Sequence, residues 1–176
     1  MYYGKEITEF FKRHNLYNEE MFEYLKEHTD WIDYRDEDER WHIGHGIYVH
    51  PKTRKIIRFR ICIPEIRDDM TLITALHEIA HGIWSYIYMV NGIKYSEDES
   101  ELFPFLVERA FLEEHKSQKL SDLINKLDSL VDDKDDIRYR YAKDVRDRFK
   151  DIDIGNVDKI QKVSRRALRI WKKNNR

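Results

Sequence analysis

His77-Glu78-Ile79-Ala80-His81 sets two imidazoles four residues apart, with a carboxylate directly after the first. On an α-helix, positions four apart lie one above the other on one face, so both rings can reach a single metal ion. Glu78 flanks that face and can take a proton from water on the metal. This HExxH pattern is the inner shell of a zinc hydrolase contained in one helical turn. A catalytic zinc also needs a third protein ligand and an open position for water. No histidine follows at short range, since His81 is succeeded by Gly82-Ile83-Trp84-Ser85-Tyr86. The candidates are the carboxylates of Ser96-Glu97-Asp98-Glu99-Ser100-Glu101, and Glu108. Glu101 lies twenty residues after His81, which allows one helix to end, the chain to turn at Asn91-Gly92, and a second helix to return. Glu101 is therefore expected as the third ligand with Glu108 in support of a ligating histidine; the reverse assignment makes Glu108 the ligand.

A helix must carry the motif. Leu72, Ile73, Leu76, Ile79, Ala80, Ile83, Trp84 and Ile87 form a long apolar stripe; Asp68 or Asp69 offers an N-cap, and Asn91-Gly92 a stop. Two strands are expected before it, Gly46 to His50 and Lys55 to Ile63, with Pro51-Lys52-Thr53-Arg54 as the turn. In the second, Ile57, Phe59, Ile61 and Ile63 alternate with Arg58, Arg60 and Cys62, the pattern of a small antiparallel sheet buried on one face. Upstream, residues 5–28 read as two short helices broken at Asn15 to Asn18, followed by a charge-dense connector from Trp31 to Arg40. Downstream, a helix runs from about Ser100 to His115, with Pro104 in its first turn. Further helices are expected from about Ser121 through the Asp-rich 132–136, from Asp136 to Lys150, and from Val157 to Lys173. The fold class is α+β and mostly helical, organised as one domain over residues 1–176.

Composition narrows the function classes. Hydrophobic residues at 41% allow a packed core despite 38% charged residues, which argues against global disorder. With 32 basic and 34 acidic residues the net charge is −2, so bulk charge gives no reason to expect a nucleic-acid partner. One cysteine, Cys62, excludes an intramolecular disulfide and a Cys-based zinc finger and suggests a reducing compartment. The N-terminal residues lack the pattern of a signal peptide, and no uninterrupted apolar run is long enough to span a membrane. A cytoplasmic protein with no membrane partner is the expectation.

Other features carry weaker chemistry. His42, His45 and His50 form a second histidine group, which lacks a completing carboxylate or cysteine at metal-ligand spacing. These residues are expected on a strand or loop near a substrate edge, where His45 can touch substrate. His14, His28 and His115 are read as surface residues. The stretch from Val157 to Arg176 is locally basic over an apolar stripe, the outer face of a packed terminal helix.

Strands, a metal-bearing helix, a loop and a carboxylate-bearing helix follow the layout of zincin peptidases. The residues resemble those of the gluzincin family of thimet oligopeptidase and oligoendopeptidase F. Gly46-Ile47-Tyr48 is similar to the family's approach to its strands, HEIAH to HExGH, and Glu101-Leu102-Phe103-Pro104 with Glu108 to its third block. Tyr139-Arg140-Tyr141-Ala142 resembles a family stretch whose tyrosines face the zinc and bind substrate and the developing oxyanion. The likeness covers about residues 46–145. Ala80 stands where the family has glycine, Pro104 is one residue further from Glu101, and the chain is far shorter.

The resemblance implies a zincin-like core and a zinc-dependent metallopeptidase acting on peptide or unfolded protein. In that expectation His77, His81 and Glu101 hold Zn²⁺, Glu78 activates the water as general base, and Tyr141 or Tyr139 donates to the oxyanion. Two rivals remain: an inactive zincin-fold binding module, and a helical nucleic-acid or partner-binding protein in which HEIAH is coincidental.

Overall fold

The computed structural model describes residues 4–32, 44–115, 118–119, 121–123, 125, 137–146, 149 and 151–174. The chain divides into two compact units, Met1–Tyr95 and Ser96–Arg176. The first unit holds α1 (Lys5–Arg13), α2 (Glu19–Glu27), β1 (Thr29–Ile32), β2 (Gly44–Val49), β3 (Ile56–Pro64) and α3 (Asp69–Val90). The second holds a 3-10 turn (Glu97–Glu99), α4 (Leu102–His115), α5 (Ile137–Arg146) and α6 (Val157–Asn174). The fold is α+β and mostly helical. The connector expected from Trp31 to Arg40 begins as strand, Trp31 and Ile32 closing β1; its residues 33–40, and residues 126–136 of the helix expected from Ser121, lie outside the described residues.

The sheet corrects the expectation of a simple antiparallel pair. Among the described residues it has three strands in the order β1-β3-β2 and is mixed. β1 runs parallel to β3, with Thr29 opposite Ile61 and Ile32 opposite Pro64. β2 runs antiparallel to β3, with His45 opposite Ile61 and Tyr48 opposite Arg58. The alternation expected along β3 also breaks at its start. Tyr48 pairs with Arg58 but Val49 with Ile56, so Ile57 is an extra residue at a bulge. Ile57 is accordingly 58% exposed while Ile56 turns inward. From Phe59 onward the expected phase holds, with Phe59, Ile61 and Ile63 buried. On the opposite face the Arg60 guanidinium pairs with Asp30 of β1, its Nε donating to Oδ2 at 2.7 Å.

α3 packs across the buried face of β3, and its ends follow from local chemistry. Asp68 is the N-cap: its Oδ1 accepts from the Thr71 backbone N–H at 2.8 Å, and the Thr71 hydroxyl accepts from the Asp68 N–H at 3.0 Å. The helix ends at Asn91, and Gly92 follows at φ 59°, a conformation glycine adopts without a Cβ clash. From Glu78 to Ser85 every residue is buried, while His77 at the start of the motif turn is half-buried. Among the described residues no helix is long and apolar enough to cross a membrane.

Gly82, directly after the second motif histidine, lies close against α2 and β3. A Cβ there stands 2.8 Å from Leu25 Cδ2 of α2 and 3.3 Å from Ile61 Cδ1 of β3. The gain in helix propensity from Gly82→Ala, about 1 kcal/mol, is therefore set against overpacking of about 1–3 kcal/mol. A net loss of stability is expected in urea unfolding, together with displacement of the adjacent His81; a more stable Gly82→Ala chain contradicts the close approach.

Candidate metal centre

The helix repeat brings the two motif histidines together. Their Nε2 atoms lie 3.1 Å apart, with the rings nearly perpendicular at 70°. His81 is 2% exposed, whereas His77 is half-buried and gives the pair its access to solvent. Two nitrogen ligands on a tetrahedral zinc at ~2.0–2.1 Å stand about 3.3 Å from one another. The separation therefore suits a metal ion between the rings, and equally a shared hydrogen when one Nε2 is protonated.

Glu78 lies on the same turn and is buried. Among the described residues its Oε2 has no hydrogen-bond partner. A buried carboxylate oxygen without such a partner is costly in a purely structural role, because desolvation is then uncompensated by a donor. Burial pushes its carboxyl up; the facing His45, His81 and His77 rings, when charged, outweigh that effect and hold it below its ordinary value. Two imidazoles and a nearby carboxylate are donors that suit a divalent metal ion such as zinc.

His45 is the residue sequence reasoning placed only loosely. It sits on β2 opposite Ile61, and directly opposed residues project from the same face of a sheet. Ile61 is fully buried and faces α3 at Gly82, so His45 faces α3 too. Its ring stacks on that of His81, centroids 3.8 Å apart and planes inclined by 22°. Its Nδ1 stands 3.8 Å from Glu78 Oε2, a charge contact too long for a hydrogen bond. Ligand-capable atoms of His45, Glu78 and His81 all lie within 4.8 Å of one another. A signal was present in the alternation of Gly44-His45-Gly46-Ile47, but the facing residue is set by the register with β3.

The other histidines have local duties. His50 caps the β2–β3 turn, its Nδ1 accepting from Lys52 N and Thr53 N at 3.3 Å each. His28 and His115 close helix ends, each Nδ1 donating at 2.8 Å to the carbonyl four residues earlier. His42 lies outside the described residues. Cys62 is no rival nucleophile, since burial, aided by Asp30, pushes its thiol up and keeps it protonated.

In the second unit, the acidic run is largely accounted for by basic partners. Arg138 reaches Glu97 at 3.3 Å, Lys172 pairs with Asp98, and Arg165 lies 3.6 Å from the fully buried Glu99. Two of the basic residues on α6 thus serve the unit itself. Glu101 immediately precedes α4, its carbonyl accepting from Phe105 N at 3.2 Å, and is 2% exposed. Glu108, two turns along α4, is 6% exposed. Tyr141 is buried, and its hydroxyl donates to the Ser164 carbonyl at 2.8 Å. The Ser164 hydroxyl in turn donates to Glu99 at 3.0 Å. Tyr141 is thus engaged in a polar network joining α5, α6 and the 3-10 turn. The Tyr139 side chain lies outside the described residues.

Compared with protein-family models, curated proteins and solved structures, the chain gives no match.

Proposed function

We propose that the chain is a zinc-dependent metallopeptidase of the gluzincin type. The observation that carries this reading is the motif turn of α3, where two imidazole Nε2 atoms 3.1 Å apart adjoin a buried carboxylate whose Oε2 has no hydrogen-bond partner among the described residues. His77 and His81 are the histidine ligands. Glu101 is proposed as the third, with Glu108 in support of a ligating histidine. Both carboxylates are buried, Glu101 directly before α4 and Glu108 within it.

When bound, zinc supplies a Lewis acid that polarises the scissile carbonyl and acidifies water. Glu78 takes the proton from the attacking water and returns it to the leaving amine. Burial of the surrounding turn keeps bulk water away and strengthens both interactions. β2 is an edge strand of the sheet, and an extended peptide can add to such an edge through main-chain hydrogen bonds. Because Tyr141 donates its hydroxyl hydrogen to Ser164, the oxyanion donor is not assigned to it.

The test is cleavage of a quenched peptide library by the purified full chain. Hydrolysis abolished by chelator and restored by zinc is expected, with Glu101→Ala losing both zinc and cleavage and Glu108→Ala keeping its metal. Zinc bound without any cleavage favours a metal-holding binding module instead. Retention of zinc by Glu101→Ala but not by Glu108→Ala reverses the ligand assignment.

A further inference from the structure

We propose that His45 is the positioning residue for Glu78, its Nδ1–H directed at Oε2 so that the other carboxylate oxygen is left to take and return the proton. The inference rests on the reading of Glu78 as general base. Three observations carry it. First, the register fixes His45 opposite Ile61 and hence against the motif turn of α3. Second, its ring is stacked on His81, centroids 3.8 Å apart, and its Nδ1 lies on the Glu78 side. Third, Glu78 is buried and among the described residues its Oε2 has no hydrogen-bond partner, while His45 Nδ1 stands 3.8 Å away.

The physical logic is that of an outer-shell residue. A carboxylate acting as a base must present one oxygen in a fixed direction, and free rotation about its last torsion degrades that geometry. A donor on one oxygen removes the rotation and selects the tautomer of the donating imidazole. The strand is also built to bring the ring in close. Gly44 has φ 144°, which favours glycine, and neither Gly44 nor Gly46 presents a side chain beside His45.

The ring tautomer gives a direct reading that needs no turnover. Long-range ¹H–¹⁵N spectra of the full chain, with and without added zinc, should show His45 carrying hydrogen on Nδ1. In Glu78→Leu, which removes the acceptor, that signal should shift or move to Nε2. Kinetics on the quenched peptides supply the second reading. His45→Leu is expected to lower kcat by about 10–100-fold, as loss of an outer-shell partner does, with KM and zinc content held. His45→Asn, whose amide nitrogen takes the place of Nδ1, should recover most of the loss.

A His45 ring protonated only on Nε2 and indifferent to Glu78 overturns the proposal, as does a parental kcat in His45→Leu. Loss of zinc from His45→Leu also overturns it, by making the residue a ligand. A chain that shows the Nδ1 hydrogen and its dependence on Glu78 yet cleaves no peptide leaves the pairing standing and removes the peptidase reading.

Discussion

Glu78→Gln should keep its zinc and lose its hydrolysis, with kcat falling by about 10²–10⁴-fold, the range that general acid–base catalysis contributes. The replacement has nearly the same shape, so the packing around it is retained. An amide cannot take a proton from water at neutral pH, so the chemical step alone is removed. The fold is expected to survive, because a neutral amide is easier to bury than the carboxylate it replaces. Glu78 itself is not among the proposed ligands, so metal content is the control that separates loss of the base from loss of the site. A Glu78→Gln chain with parental kcat excludes Glu78 as the base, and one that loses zinc makes Glu78 a ligand.

His81→Ala should weaken zinc binding by more than the ~10–100-fold that loss of an outer-shell partner costs, since it removes one of three direct ligands. The effect has a thermodynamic reading independent of activity. Zinc at 1,000 times its Kd adds about 4 kcal/mol to the stability of the folded chain. That corresponds to a rise in Tm of at least several degrees for the parent, and none is expected for the variant. His81 is buried and stacked under His45, so alanine also leaves a cavity and lowers stability without metal. His77→Ala separates the two effects, because His77 is half-buried and its removal disturbs packing less. A zinc-dependent rise in Tm that persists in both variants contradicts the assignment of these histidines.

The motif helix was readable because its signals are local and mutually consistent. Asp68 and Thr71 cap it, Gly92 stops it, and the apolar positions between them are dense enough to demand burial. The same holds for the first two helices and their break, where Asn15 takes a positive φ and Asn18 caps α2. Non-local pairing was not readable. Thr29-Asp30-Trp31-Ile32 is too short to announce a strand, and it pairs in parallel with β3, some thirty residues on. Ile57 fits the period of its strand in sequence, but a bulge fixed by the opposing residues of β2 turns it outward.

His45 shows the same limit at the site. Placing the start of β2 at Gly46 left His45 off the strand, and only the register against Ile61 turns it toward α3. Tyr141 is the converse case. Its spacing and neighbours resemble a substrate-binding tyrosine, yet its partner Ser164 lies on a helix 23 residues further along. A pattern match at Tyr141 carries no information about that partner.

The most direct test is the metal content of the purified full chain, measured by mass spectrometry after reconstitution with zinc and removal of loosely held metal. One zinc per chain is expected, lost in both His77→Ala and His81→Ala and retained in Glu78→Gln. A parent chain without stoichiometric zinc, or one whose zinc survives both histidine substitutions, contradicts a metal centre built on the turn from His77 to His81.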